Sequence, residues 1–197
     1  MRIPTALKKP PLIEVAFELR FSRETQISEI IPGFLFHELN CDKPIINLPA
    51  SQIPKHVRDT DENLSYAPLS RLEWNNNFIS VSDNGIVVAS NDSYKNWTDF
   101  KSIILRIIEV INKLHISNKI IRYSLKYIDF LPKQNETVPS FNKLNIKLLL
   151  AEDEVGNDNL TIRLERESKE FITVLQVATH AQIISDDGIP DRTGLII

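Results

Sequence analysis

Between Ile13 and Phe21 apolar and polar residues alternate. Ile13, Val15, Phe17, Leu19 and Phe21 fall on one side, Glu14, Ala16, Glu18 and Arg20 on the other. A period of two is the pattern of a strand with one buried face, and Pro10-Pro11 marks where it opens. Ser22 is placed to cap a helix running to about Ile31, with Glu24 in its first turn; Pro32-Gly33 breaks or kinks it, and Phe34, Leu35, Phe36 and Leu39 continue its apolar face. Residues 40–70 hold four prolines and a polar run, an extended loop that is either functional or hides a short strand. Two β-rich runs, 72–81 and 86–90, flank Asp83-Asn84-Gly85, which predicts a hairpin with a type I′ turn. Asn96 and Asp99 have capping-box spacing. Behind them Trp97, Phe100, Ile103, Ile104, Ile107, Ile108, Ile111 and Leu114 recur at helical spacing, a helix turned to the core and ended by Ser117-Asn118.

A second alternating run, 119–131, sets Arg122, Ser124 and Lys126 on one face and Tyr123, Leu125 and Tyr127 on the other, and Pro132 stops it. Residues 141–151 fit either a strand or a helix. Residues 159–166 and 170–184 read as a hairpin turning near Ser168-Lys169, Asp186-Asp187-Gly188 is a turn, and 193–197 begins a further strand. The fold class is α+β: a mostly antiparallel sheet with helices on one face, its first six elements in the ferredoxin-like β-α-β-β-α-β order, with further strands C-terminal. Residues 1–197 are expected to form one domain, with possible halves 1–117 and 118–197. The apolar ending Gly194-Leu195-Ile196-Ile197 suggests that the natural chain continues, or that a partner covers this edge.

Composition narrows the class. Of 197 residues 42% are hydrophobic and 25% charged, close to the soluble globular average, and five glycines exclude a collagen-like repeat. No apolar run is long enough for a transmembrane helix, and Met1 to Pro10 has no signal-peptide core. A lone Cys41 fits the reducing cytoplasm and is read as a loop or core thiol. The net charge of −3 disfavours a generic nucleic-acid binder, which needs a basic excess. Motifs for dinucleotides, phosphate loops, zinc proteases, serine hydrolases and paired cysteines are all missing. No catalytic residue, cofactor or metal is therefore assigned.

What remains is polar and on strands. Glu14, Glu18 and Arg20 share one face of the opening strand; Arg122 and Lys126 share one face of the strand after the long helix. If these strands are neighbours, acids meet bases across them, each pair stabilising by about 0.2–1 kcal/mol. The same face is a candidate groove for a protein partner or small ligand, with loop 40–70 over it. Arg163 and His180, with Glu165 nearby on strand faces, are further candidate binding residues. Arg122, Lys126, Arg163 and His180 would also serve a nucleic acid or nucleotide, the alternative reading. Self-association is a further expectation.

Three segments carry a family likeness: Lys9-Pro10-Pro11-Leu12-Ile13-Glu14-Val15 with the strand that follows, Tyr94-x-x-Trp97-x-x-Phe100, and Ile121-Arg122-Tyr123-Ser124-Leu125-Lys126-Tyr127-Ile128-Asp129. Together they resemble a sporadically distributed family of uncharacterised prokaryotic proteins. Its members open with a Pro-Pro-x-x-Glu-Val strand, carry an Arg-x-x-x-Arg-Tyr-Ile-Asn strand and continue into a C-terminal helical segment. Lys126 and Asp129 stand here where that pattern has Arg and Asn. The resemblance implies no activity and no catalytic residues; the family's patchy distribution implies a mobile-element or defence setting.

Overall fold

A computed structural model describes residues 7, 10–22, 27–91, 93–114, 120–133, 144, 146–155, 159–184 and 192–197. The elements run β1 (Leu12–Phe21), α1 (Ile31–Glu38), β2 (Ile46–Asn47), a 3-10 turn (Pro49–Gln52), α2 (Lys55–Arg58), α3 (Glu62–Ser65), β3 (Ser70–Trp74), β4 (Asn77–Val81), β5 (Gly85–Ser90) and α4 (Trp97–Lys113). Then follow β6 (Ile120–Pro132), β7 (Leu149–Leu150), β8 (Asp153–Glu154), β9 (Thr161–Ser168), β10 (Phe171–Ile183) and β11 (Arg192–Ile196). The chain divides into two compact units, Glu14–Tyr127 and Met1–Ile13 with Ile128–Ile197, here the central and terminal units.

The α+β class and the large antiparallel sheet are as the pattern predicts, but among the described residues the sheet has more strands than that order provides. The simple β-α-β-β-α-β order is not what the chain follows. Between α1 and α4 it inserts β2, two one-turn helices and a third hairpin strand. The run 72–81 is divided at Asn75-Asn76, where both residues take positive φ (49° and 59°) and turn β3 into β4. Asparagine tolerates this left-handed backbone better than other side chains that carry a Cβ.

In the central unit the strands lie in the order β2-β3-β4-β5-β1-β6. The alternation in β1 places Val15, Leu19 and Phe21 in the core with Leu72, Ile79, Val81, Ile86 and Val88 of the neighbouring strands. Both long helices cover that face: Ile31 and Leu35 come from α1, Phe100, Ile104, Ile107, Val110 and Ile111 from α4. Asn96 caps α4 as its spacing predicts, its Oδ1 accepting from Asp99 N at 3.0 Å. Trp97, expected in the core stripe, is instead 44% exposed at the first turn. Pro32 does not break a helix. It sits in the first turn of α1, where its missing N–H costs nothing. Residues 28–30 form a turn rather than the end of a helix capped by Ser22, and Glu24 lies outside the described residues.

The turn between β4 and β5 is not a type I′ turn, since Asn84 keeps a negative φ. It is a buried polar loop. Ser82, Asp83 and Asn84 are all buried. Asn84 O accepts from Phe21 N and Asp83 O from Ile27 N, at 2.8 and 3.1 Å. The Asp83 carboxylate receives Arg58 Nε at 2.7 Å and Ser28 Oγ at 2.8 Å. Arg58 also donates to Ile53 O. One carboxylate thus ties the turn, the segment after β1 and the segment before β3 together. Segment 40–70 is accordingly not structureless: β2 pairs with Ser70 and Arg71 of β3.

In the terminal unit the order is β6-β11-β10-β9. Val177 and Leu195 are its buried centre, lined by Leu131, Leu160 and Ile162. Gly194 is required by close approach, because a Cβ there would lie 2.3 Å from Leu131 O. The strand fits at 159–166, 170–184 and 193–197 hold within a residue or two, and 149–150 of the ambiguous window is strand. The turns expected at Ser117-Asn118 and Asp186-Asp187-Gly188 lie outside the described residues.

Removing one member of a buried ion pair leaves the other uncompensated. Arg58→Met is expected to cost about 3–5 kcal/mol, read as the urea midpoint of unfolding. Desolvation opposes the charge on Asp83, but the hydrogen bonds from Arg58 and Ser28 outweigh it and hold the carboxyl below its ordinary value. A depressed folded-state value contributes stability above the unfolded one, near pH 4, that is lost as the pH falls through the folded one. Asp83→Asn is therefore expected to be less stable at pH 6 and to lose less of its stability between pH 5 and pH 3 than the parent. Equal losses over that interval would rule out the ionised pair.

Candidate functional site

Glu14, Glu18, Arg20, Arg122 and Lys126 all lie in the central unit, whereas Arg163 and His180 lie in the terminal one. The two groups are taken separately.

β1 and β6 are neighbours, as the charge pattern requires. Their charges, however, are not matched across the strands. Ser124, not a base, sits against Glu18, its Oγ donating to Glu18 Oε2 at 3.3 Å. Arg122 and Lys126 lie two residues to either side of Ser124 along β6. Glu18 turns instead to its own strand: Arg20 Nε lies 3.0 Å from Glu18 Oε1. This Nε makes no hydrogen bond, so the contact is electrostatic. The Arg20 guanidinium also lies 4.2 Å above the Tyr66 ring, a cation–π contact. Among the described residues no ion pair joins Glu14 or Glu18 to Arg122 or Lys126, and both bases are exposed.

The face carrying these residues is opposite the helices. Register defines two rows across it. In one, Arg71 faces Ser80, Ser80 faces Val87, and Val87 faces Glu18, with Ser124 beyond. In the other, Glu73, Phe78, Ala89 and Ala16 follow one another. Five strands span about 19 Å at the usual separation. In the first row the small Ser80 and Val87 lie between Arg71 and Glu18; in the second the Phe78 ring and then the small Ala89 and Ala16 follow Glu73. Segment 40–70 reaches this face twice. Tyr66 lies over Arg20, and Lys43 Nζ pairs with Glu73 Oε1 at 2.5 Å. The hydrogen bond to Glu73 holds the Lys43 ammonium above its ordinary value.

The Lys43–Glu73 pair also separates two cavities that the sequence gives no motif for. One, of about 160 Å³, is lined by Pro44, Ile46, Arg71 and Phe78 beside the pair. The other, of about 400 Å³, is bordered by Asn40, Asp42, Asn75 and Asn76. Their local signal was the cluster of asparagines at positive φ, Asn40, Asn75 and Asn76, which marks turns but no chemistry. Cys41, beside them, is buried, and burial and then Asp42 push its thiol up, away from a reactive thiolate.

In the terminal unit His180 does not stand beside Arg163. The β9–β10 register sets Arg163 opposite Gln176 and Thr161 opposite Ala178, so His180 lies four residues, about 13 Å, further along. A one-residue bulge between Ala178 and Ala181 gives His180 a φ of 58° and leaves its Nδ1 3.2 Å from Thr179 Oγ1. Arg163 instead pairs with Glu165 on its own strand face. Among the described residues no group of three His, Cys, Asp or Glu is arranged to hold a metal ion, and no helix is long and apolar enough to cross a membrane. Neither protein-family models, nor curated proteins, nor solved structures give a match to this chain.

Exposed side chains without ion partners contribute little to stability. The double variant Arg122→Ala/Lys126→Ala is expected to unfold within about 0.5 kcal/mol of the parent. A loss above 1 kcal/mol, on the scale of a structural contact, would show that these bases hold the sheet together rather than stand free.

Proposed function

We propose that the helix-free face of the central unit is a recognition surface, and that the protein is a binding module for a protein partner or small ligand rather than an enzyme. One observation carries the reading. On this face Glu18 is already engaged by Arg20 and Ser124, while Arg122 and Lys126 are exposed and, among the described residues, without ion-pair partners. The uncommitted bases face solvent beside a row of small side chains, which leaves room for an extended anionic group. Arg71 and the Lys43–Glu73 pair would bound the far end. The strand order β6-β1-β5-β4 supports a further reading of the central unit as an elaborated ferredoxin-like sheet. Membership of the sporadically distributed prokaryotic family stands as part of the same proposal, resting on the three segments quoted above, as does a cytoplasmic setting.

The unpaired bases equally favour a second reading, nucleic-acid binding, which salt dependence separates from the first. A protein that neutralises several phosphates loses affinity steeply with added salt, by about 0.9 log units per contact for each tenfold rise. We expect an acidic peptide probe (a Glu/Asp-rich decamer) to bind the chain, and Arg122→Ala/Lys126→Ala to weaken it about tenfold, the loss of roughly one charge-assisted contact. A single-stranded oligonucleotide that binds more tightly than the peptide, with a salt slope of several contacts, would replace the partner module with the nucleic-acid reading. Unchanged peptide affinity in the double variant would remove this face as the site.

A further inference from the structure

The smaller of the two cavities beside the Lys43–Glu73 pair belongs to the helix-free face of the central unit, at the end of the row of small side chains that lies away from β6. Register places it there. Ile46 of β2 pairs with Arg71, and Glu73 pairs with Phe78. Two cross-strand pairs that follow one another along β3 thus bound one gap on one face. Lys43 and Pro44 add a further wall. The gap measures about 160 Å³, and the surface it presents is apolar although Lys43, Arg71 and Glu73 all line it.

Pairing of the charged heads explains that surface. Lys43 Nζ lies 2.5 Å from Glu73 Oε1. The Arg71 guanidinium lies 5.4 Å from the centroid of the Phe78 ring, and its Nε donates to Ser80 Oγ at 3.3 Å. With the heads taken up by neighbours, carbon is left to line the gap: the stems of Lys43 and Arg71, the Phe78 ring and Pro44. Ile46, which completes the lining, is 57% exposed.

Size and charge identify the occupant. Pockets for whole small ligands measure about 300–1,000 Å³, whereas a cavity of about 150 Å³ takes a single group the size of benzene. One apolar side chain fits here. The charge along the face is basic. Among the described residues no acidic partner reaches Arg71, nor Arg122 and Lys126 at the other end of the row, and the Lys43–Glu73 pair cancels itself. Such a face complements a segment that is acidic over most of its length and apolar at one residue.

We propose that this pocket is the anchor subsite of the recognition face. The partner is a polypeptide segment that crosses the strands with one leucine-sized apolar side chain in the pocket and its acidic residues over Arg122 and Lys126. The inference rests on the reading of that face as a recognition surface and adds the anchor to it. The row from Arg71 to Ser124 spans about 19 Å, which an extended chain covers in about six residues. The spacing between anchor and acids is therefore fixed by the sheet. A side chain seated in a fitting pocket is the element from which protein interfaces draw most of their affinity.

Three fluorescein-labelled decamers are titrated with the full chain at about 0.15 M salt and read by fluorescence anisotropy. The first carries an acidic cluster at one end and a single leucine six residues from it. The second has alanine in place of the leucine, and the third carries the leucine next to the cluster. We expect the first to bind at least about tenfold more tightly than the other two, the gain from burying one aliphatic side chain. Ile46→Asp brings a carboxylate to the apolar lining from an exposed position, without removing core. It should abolish that advantage and leave the affinity of the alanine peptide unchanged, because about 19 Å separates it from the acids and screening acts over about 8 Å at this salt. Equal affinities of the first two peptides, an advantage shared by the third, or one that survives in Ile46→Asp overturns the anchor. If the first two peptides bind equally and Arg122→Ala/Lys126→Ala weakens both, the anchor alone fails. If the double variant changes neither, or the first peptide does not bind, the recognition face fails with it.

Discussion

The Arg58–Asp83 ion pair is the contact on which the central unit depends. A carboxylate taken out of water is costly unless every lone pair finds a donor. Asp83 finds two on the Arg58 guanidinium and a third on Ser28. Its backbone neighbourhood is equally committed, with the carbonyls of Asp83 and Asn84 receiving the amides of Ile27 and Phe21. The pair therefore links the end of β1, the approach to α1 and the helical turn α2 to one tight loop. Without it, segment 40–70 would have only β2 and scattered turns to fix its path, and its two arrivals at the sheet, Lys43 on Glu73 and Tyr66 on Arg20, would lose their anchor.

That anchorage sets the character of the open face. Gly85 follows the Asp83 loop in a tight place: a Cβ there would lie 3.0 Å from Ser82 Oγ and 3.3 Å from Leu19 O, with the Tyr66 ring in ordinary contact at 3.4 Å. The Tyr66 ring lies against the Arg20 guanidinium, and Arg20 in turn pairs with Glu18 on its own strand. Glu18 is taken up locally, so the bases of β6 remain uncommitted. A charge pattern that looks neutralised when written as two facing strands becomes, once register is fixed, an engaged acid beside two unengaged bases.

The terminal unit shows the same physics in its edges. β9, which carries Arg163, Glu165, Arg166 and Glu167, presents charge along its exposed faces, as natural sheets do where a strand must not pair casually. The bulge at His180 lies in the half of β10 where β11 is seated, and there the extra residue takes up a local change of register.

What the linear order of residues determined by itself is what depends on near neighbours. The alternation in β1, the Asn96–Asp99 cap and the 3.6-residue stripe of α4 are local patterns, and the two periodicities are realised because a half-buried strand or helix admits only one side to the core; the same alternation in β6 makes a strand but leaves Tyr123, Leu125 and Tyr127 exposed. The α+β class and the side of the sheet on which the charges lie follow from the same patterns. Tertiary structure alone decided the rest. Pro32 starts a helix or breaks one depending on where the first turn falls; Asn84 is buried because Arg58, 26 positions away, finds Asp83. Whether Glu18 meets a base or a serine depends on the pairing of strands more than a hundred residues apart, and a shift of two residues exchanges the partners. Periodicity along a chain carries no information about such long-range register, which is set only when the cores on either side are packed.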